Sequence, residues 1–487
     1  MIEFYTNKKT ISANEGDSLL TVLRQNGFFI NNPCGGAGTC GKCIVHTPQG
    51  DILSCVTLVD SSLTEITVPE AESKVSIINT YERLSPVTCT RNADKPYGIA
   101  IDIGTTTIAM ELLNNKTGER IATASAVNSQ RQFGADVITR ILNATKGHAN
   151  ELTGLVKKDI ADGVLHILKT SGVAASDISH VVIAGNTTML HLLLGYPCDS
   201  LGVAPFTPIS LKMEEREYSE LFDRTLDSKV IILPGMSTFV GADISAGLLA
   251  TGWPNITGHN LLIDLGTNGE MALFDENGQV LITSTAAGPA LEGGNISQGM
   301  PSVSGAIAKI KYNGTAFEYE TINDAPPIGL CGTGIIGLGA EIIRYRLIDE
   351  VGYIESGDDE IPITPHISLT QKDIREIQLA KSAIRAGLEI LLESANIKYS
   401  DLRNVYLCGG FGYRINLQNA ATLGIIPKEL TNKVITVGNS SLGGAALVLC
   451  CIYAQEDITK LTDIAKEINL STHPKFNELF MEYMTME

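Results

Sequence analysis

Residues 2–13, IEFYTNKKTISA, alternate loosely between apolar and polar positions and break at Asn7, Lys8 and Lys9, which predicts two short strands. Asp17 or Ser18 then stands where a helix cap belongs, ahead of a short helix from Leu19 to Gln25, and Gly27 follows where a helix C-terminus favours glycine. Beyond a glycine-rich loop, strands are predicted over residues 43–47 and 52–55, with Pro48, Gln49, Gly50 and Asp51 as their turn, and residues 63–68 close the unit. At Tyr97 the pattern changes. YGIAIDIGTTTIAMELLN (97–114) reads as an apolar strand, a tight polar turn and a second strand. LLIDLGTNGEMALFD (261–275) repeats it, with Asp264, Gly266 and Thr267 matching Asp102, Gly104 and Thr105. Two strand-turn-strand units with the same turn predict an internally duplicated α/β fold. Each half also carries a later buried strand ending in a glycine turn, VVIAGNTTMLHLLLG (181–195) and NVYLCGGFGYRINL (404–417).

These breaks divide the 487 residues into a first domain over 1–70, a connection over 71–95, and two lobes over 96–257 and 258–487. With 44% hydrophobic and 18% charged residues, the composition is that of an ordinary globular protein. A net charge of −18 disfavours nucleic acid and anionic membranes as partners, since both reward clustered Lys and Arg. The N-terminal residues lack an apolar signal core, and no uninterrupted apolar run reaches the ~18 residues of a spanning helix, so the expected location is cytoplasmic.

Four of the ten cysteines, Cys34, Cys40, Cys43 and Cys55, crowd one stretch with five, two and eleven residues between them. Thiolates at such spacing suit a metal site. A structural zinc site usually pairs two short C-x2-4-C knuckles, and only Cys40 and Cys43 form one here. Three cysteines on one loop and a fourth on a later strand instead follow the plant-type 2Fe-2S pattern, with five residues where that pattern has four in its first gap. Gly35, Gly36, Gly38 and Gly41 supply the backbone freedom that a loop wrapped around a cluster needs. Zinc and a disulfide scaffold are the weaker readings. The other six cysteines read as small buried residues.

The paired Asp-Gly-Thr turns carry a second chemistry. An Asp at each strand end holds a magnesium ion through water, and the turn offers N–H and hydroxyl donors to phosphate. Asp102 and Asp264 are therefore assigned to Mg2+ and water positioning. Gly104, Thr105, Thr106, Thr107, Gly266, Thr267, Asn268 and Gly269 surround the phosphates. Asn186 and Gly288 are further candidates, and Glu270 and Glu292 are candidates to orient the attacking water. Gly409, Gly410, Phe411 and Gly412 fit the adenosine contact. A turn-forming role for Asn186 and simple capping roles for the two Asp residues are the plainer alternatives.

Taken together, CGGAGTCGKC with LSCVT, IDIGTTT, AGNTTM, DLGTNGE, GPALEGG, CGTGII, GGFG and VGNSSLGGAAL resemble the reductive activators of corrinoid enzymes. The resemblance covers nearly the whole chain. It implies an N-terminal β-grasp 2Fe-2S ferredoxin domain followed by a duplicated, two-lobed ribonuclease H-like ATPase domain of the actin and sugar kinase type. It also implies a 2Fe-2S cluster, ATP and Mg2+ as cofactors, and ATP-dependent one-electron reduction of an inactive Co(II) corrinoid protein to Co(I). The implied partners are that corrinoid protein and a low-potential electron donor such as a ferredoxin or flavoprotein, and a homodimer is compatible with it. The alternatives are a redox-regulated small-molecule kinase acting on a sugar or carboxylic acid, and a non-catalytic cluster carrier.

Several patterns invite over-reading. Gly36, Gly41 and Lys42 satisfy G-x-x-x-x-G-K, but Cys43 stands where a P-loop needs Ser or Thr. Gly332, Gly334 and Gly337 spell G-x-G-x-x-G after Pro326 and Pro327, a context that favours tight helix packing over dinucleotide binding. His191 reads as a buried, hydrogen-bonded histidine, His46 as a bystander to the cysteines, and residues 372–381 as a solvated helix face.

Overall fold

The computed structural model describes residues 1–28, 30, 32, 34–69, 94–409 and 415–486. Gly410, Phe411, Gly412, Cys89 and most of the expected connection over 71–95 lie outside the described residues.

The first unit is built as the alternation predicts. β1 (Ile2–Thr6) pairs antiparallel with β2 (Thr10–Ala13), α1 (Leu19–Gln25) follows, β3 (Ile44–Thr47) and β4 (Gly50–Leu53) form a hairpin, and β5 (Glu65–Ile66) returns parallel to β1. Ser18 caps α1 by accepting a hydrogen bond from the Thr21 N–H, and Gly27 takes φ +83° just beyond it. Phe4, Ile11, Leu19, Leu23, Val45 and Ile66 form the small core. The turn between β3 and β4 is tighter than the four residues expected: Gly50 already pairs with Thr47. Its φ of +127° puts the sharp bend on the one residue without a Cβ.

The rest of the chain is a duplicated α/β fold. In the first half β6 (Tyr97–Ile103), β7 (Thr107–Asn114) and β8 (Arg120–Val127) form an antiparallel meander, followed by α2 (Val137–Asn143) and α3 (Ala149–Ser171). β9 (Ile178–Gly185) joins parallel to β6. Then come α4 (Thr187–Leu194), α5 (Asp199–Gly202), β10 (Glu214–Glu217), α6 (Tyr218–Leu221), β11 (Lys229–Ile232) parallel to β9, and α7 (Ala242–Ala250). The second half opens with the same meander, β12 (His259–Leu265), β13 (Gly269–Phe274) and β14 (Val280–Thr285). It then adds β15 (Ala306–Tyr312), β16 (Phe317–Thr321), β17 (Gly329–Leu330), α8 (Gly332–Arg344), a hairpin of β18 (Glu360–Thr364) and β19 (Ile367–Thr370), and α9 (Gln371–Ser394). β20 (Leu402–Cys408) lies parallel to β12, α10 (Leu417–Leu423) follows, and β21 (Val434–Gly438) lies parallel to β20. The chain ends with α11 (Ser440–Cys450), α12 (Ile452–Ile464), β22 (Lys466–Glu467) and α13 (Phe476–Glu482).

The sheet orders make the duplication explicit: β10-β11-β9-β6-β7-β8 in one half and β21-β20-β12-β13-β14-β22 in the other. In each, a three-stranded meander is extended by two parallel strands. β7 and β13 are buried along almost their whole length because helices cover the sheets. α7 and α11 cross at small residues. A Cβ on Gly444 would stand 2.0 Å from the Ala246 carbonyl oxygen, and one on Gly247 would stand 2.9 Å from Ser440 Oγ.

The G-x-G-x-x-G run is packing, as expected. Gly332 and Gly334 begin α8 so close to neighbouring backbone that a Cβ would come within 2.3 Å of the Leu291 carbonyl and 2.1 Å of the Ile307 carbonyl. His191 is 2% exposed, with Nδ1 2.8 Å from the Thr187 carbonyl. Residues 372–381 correct the sequence reading in part: Lys372 is exposed and Arg375 and Glu376 are half-buried, but the other polar residues turn inward. Asp373 and Gln378 are fully buried and Lys381 is 4% exposed. Asp373 caps its own helix with Thr370, Gln378 Nε2 donates to the Met484 carbonyl, and Lys381 Nζ donates to the Thr485 carbonyl, so the segment 484–485 supplies the polar partners that solvent was expected to provide.

Candidate functional site

The cysteine loop converges as two pairs. Cys34 Sγ and Cys40 Sγ are 3.3 Å apart, and the Cys43 and Cys55 thiols are themselves hydrogen-bonded. Gly35, Gly36, Gly38 and Gly41 all take left-handed φ angles, +62°, +103°, +72° and +65°. That conformation turns backbone N–H groups onto sulfur. Burial pushes the Cys34 thiol up, but hydrogen bonds from the Cys40 backbone, the Cys40 thiol and the Gly36 and Thr39 backbone outweigh it and lower it to about 6. Burial and the Cys43 thiol raise Cys55 to about 12. Among the described residues no three His, Cys, Asp or Glu side chains are grouped to hold a single metal ion. Two cysteine pairs side by side suit a two-iron cluster better than one tetrahedral ion. His46 takes no part, since its Nδ1 lies 2.6 Å from Asp51 Oδ1 on the surface.

The duplicated turns come close to each other where the lobes meet, near enough for the Asp102 and Asp264 charges to interact. In the first, the Gly104 N–H donates to the Thr107 carbonyl, and a Cβ on Gly104 would meet that oxygen at 2.8 Å. Asn128 Nδ2 donates to the Gly104 carbonyl, the Asn128 N–H donates to the Thr106 carbonyl, and Asn186 Nδ2 donates to Thr105 Oγ1. Asn186 also caps α4 by accepting from the Met189 N–H, so it both forms the turn and braces the Thr105 hydroxyl. In the second turn the Gly266 N–H donates to the Asn268 carbonyl, and Thr267 Oγ1 donates to Glu292 Oε2. Gly288 takes φ +76° ahead of the short helical turn Pro289–Glu292 that carries Glu292. Gly269 serves packing instead, with Thr285 and Ile384 at 3.0 and 3.2 Å from where its Cβ would be. Gly409, at φ +96°, passes so close to the second turn that a Cβ would stand 2.7 Å from Asp264 Oδ1.

Five carboxylates, Asp102, Asp243, Asp264, Glu270 and Glu292, lie buried in this region, Asp102, Asp243, Asp264 and Glu270 near enough for their charges to act on one another, though not grouped tightly enough to ligate one ion directly. Burial, then the charges of Asp243, Asp102 and Glu292, push Asp264 up to about 8. Burial and Asp102 push Asp243 up to about 7. Burial with Asp243 and Asp264 drives Glu270 well above the usual carboxylate range. Glu292 is raised by burial and partly relieved by Thr267 and by Arg131 from the opposite lobe. Asp102 is raised by burial and relieved by two hydrogen bonds, from Ser441 Oγ at 2.7 Å and Asn439 Nδ2 at 2.8 Å. Mutually repelling oxygen ligands sunk among protein atoms are what a hard divalent cation compensates.

Asp243, Asn439 and Ser441 were not singled out by the sequence reading. Asp243 begins an apolar helix in VGADISAGLLA, where an acidic residue is ordinary, and Asn439 caps α11 through its Oδ1 in the usual way. Only the fold, which carries α11 back across the first lobe, shows that Asn439 Nδ2 is left to reach Asp102.

A ferredoxin-like unit joined to a duplicated nucleotide-binding fold of the actin and sugar kinase type defines the class. Sequence models agree: a 2Fe-2S iron-sulfur cluster binding domain matches residues 4–65, the RACo middle region matches 97–255, and the C-terminal ASKHA domain of RACo matches 258–487. The chain belongs to the family of reductive activators of corrinoid enzymes. It is 33% identical over 471 residues to the corrinoid activation enzyme RamQ of Eubacterium limosum, covering 90% of this chain and 77% of that one. It is 27% identical to the [Co(II) methylated amine-specific corrinoid protein] reductase of Methanosarcina barkeri, covering 79% of this chain and 76% of that one. A solved structure described as a reductive activator for a corrinoid, iron-sulfur protein superposes over all of this chain and 98% of its own, with 27% identity and a TM-score of 0.72.

Proposed function

We propose that the chain is an ATP-dependent reductive activator, passing one electron from a 2Fe-2S cluster to an inactive Co(II) corrinoid protein and regenerating Co(I) for methyl transfer. The observation that carries this is the joining, in one chain, of two cysteine pairs on a glycine-rich loop to a cleft that gathers five carboxylates. Residues 1–70 deliver the electron, 71–95 connect, and 96–257 and 258–487 are the lobes that close on nucleotide.

Cys34, Cys40, Cys43 and Cys55 are the cluster ligands. When bound, the cluster supplies one-electron chemistry at low potential, near about −400 mV for the plant type. The backbone N–H groups of Gly36, Thr39 and Lys42 support the sulfurs. Asp102, Asp243 and Asp264 would hold the Mg2+ of a bound ATP through its water shell. The Gly104–Thr107 and Gly266–Asn268 turns hold the phosphates, with Gly269 packed behind the second, and Glu270 and Glu292 orient the attacking water. Gly409 leaves room for the nucleotide where a Cβ would crowd Asp264; Gly410, Phe411 and Gly412, which the sequence assigns to the adenosine contact, lie outside the described residues. The donor is a low-potential ferredoxin or flavoprotein, and two copies of the chain associate as a homodimer.

ATP hydrolysis followed with and without a Co(II) corrinoid protein tests the reading. Slow turnover that the corrinoid protein accelerates is expected. Rapid turnover with a sugar or carboxylic acid and no response to the corrinoid protein would contradict it.

A further inference from the structure

One buried cation in the first lobe serves neither the cluster nor the cleft carboxylates directly. Arg140, in α2, is 0% exposed. Among the described residues its hydrogen bonds all end on neutral acceptors: Nη2 on the Thr105 carbonyl, Nε on the Gly134 carbonyl at 2.9 Å, and Nη1 on Gln130 Oε1 at 3.3 Å and Met189 Sδ at 3.0 Å. Burial and the neighbouring Arg131 lower its pKa to about 9, and Asp136 offsets this only in part. A buried charge without a bonded counter-charge is costly, and an anion arriving at the Thr105 turn would relieve it.

The other side of the same segment meets the cysteine loop. A Cβ on Gly35 would stand 2.5 Å from Thr139 Cγ2 and 2.7 Å from Asn143 Nδ2. Asn143 Nδ2 donates to the Phe133 carbonyl at 2.7 Å, and the Arg24 guanidinium of the ferredoxin unit lies 4.6 Å above the Phe133 ring. Gly134, one residue on, is held at φ +146° against Thr139. Residues 133–143 thus touch the phosphate turn through Arg140, and the loop of Cys34 through Thr139, Asn143 and Phe133.

We infer that Arg140 is a positioning residue through which nucleotide at the Gly104–Thr107 turn changes how the Cys34 loop seats on the first lobe. Phosphate charge at Thr105 draws on the Arg140 guanidinium. Arg140 in turn holds Gly134, and α2 carries the shift to Thr139 and Asn143 beneath Gly35. The inference rests on the reading that the turn binds nucleotide, and its test separates the two.

Hydrogen exchange over residues 34–43 is measured in the cluster-loaded full chain with and without Mg2+ and a non-hydrolysable ATP analogue, while calorimetry measures analogue affinity. The expected result is a nucleotide-dependent change in exchange of about fivefold or more, the lower end of ordinary coupling between sites. Thr139→Ala combined with Asn143→Ala should keep the analogue affinity and lose that change, and Arg140→Met should lose it too. Because Arg140→Met removes a buried group that organises its surroundings, the double variant decides if Arg140→Met does not fold. An unchanged exchange rate in a wild-type chain that binds the analogue would overturn the inference alone, as would a full response in the double variant. Failure of the analogue to bind would overturn the nucleotide reading itself.

Discussion

At the scale of single residues, the cysteine loop was the most legible part of the chain. Spacing and glycine content pointed to a cluster, and the left-handed φ at Gly35, Gly36, Gly38 and Gly41 is the conformation that composition anticipated. Replacing Cys34 or Cys55 with Ser is expected to abolish the 2Fe-2S absorbance while leaving ATP binding intact, and a retained spectrum would remove that residue from the ligand set. The cleft was half legible. Asp102 and Asp264 stood out because the turn repeats, but Asp243 did not, since its meaning comes from charges placed beside it by distant strands. A pH prediction follows. Asp264 sits at about 8 in the folded cleft, against about 4 in an unfolded chain, so across that window the folded state binds more protons. Without nucleotide its contribution to stability is therefore largest below about pH 4 and is lost as pH rises to about 8. Asp264→Asn should raise the unfolding temperature of the nucleotide-free protein more at pH 8 than at pH 5. Equal effects at both pH values would show that the carboxyl is not raised.

At the scale of elements, strands and short capped helices were readable because their signals are local. Ser18 caps α1, Asn186 caps α4, and the alternation in residues 2–13 becomes β1 and β2. α9 was misread in part for a non-local reason: Gln378 and Lys381 are satisfied by the segment 484–485, about a hundred positions away, which no periodicity reports. The crossing of α7 and α11 was also invisible in the sequence, although it positions Asp243 on one helix and Asn439 and Ser441 on the other. Gly444→Ala would force these helices apart, because its Cβ would fall 2.0 Å from the Ala246 carbonyl. A loss of about 1–3 kcal/mol in urea unfolding is expected from such overpacking, with weakened Mg-ATP binding. Unchanged stability would mean that the helices have room to part. Asn439→Ala should cost about 1 kcal/mol as a lost cap and should lower Mg2+-dependent nucleotide affinity as well. A loss of stability alone would leave Asn439 a cap and nothing more.

At the scale of the whole molecule, the duplicated lobes and the ferredoxin unit make physical sense together. A plant-type cluster lies near about −400 mV, and Co(I) is a stronger reductant still, so forward transfer needs added driving force. A conformational preference of ~5.5 kcal/mol, enough to move an equilibrium from 1:99 to 99:1, is worth about 240 mV for one electron. The nucleotide binding and hydrolysis proposed for the lobes would supply energy of that order, while the segment 133–143 joins the Thr105 turn and the cluster loop through packed contacts. The duplication was legible from two matching turns. The contact between ferredoxin unit and first lobe was not, because Arg24, Phe133 and Thr139 form no motif and meet only in the folded chain. The most direct test is a single-turnover experiment. The protein is reduced, freed of excess reductant and mixed with a Co(II) corrinoid protein, and Co(I) is followed by its absorbance. Up to one Co(I) per cluster is expected when Mg-ATP is present and little without it. Co(I) formed at the same rate and yield without ATP would contradict it.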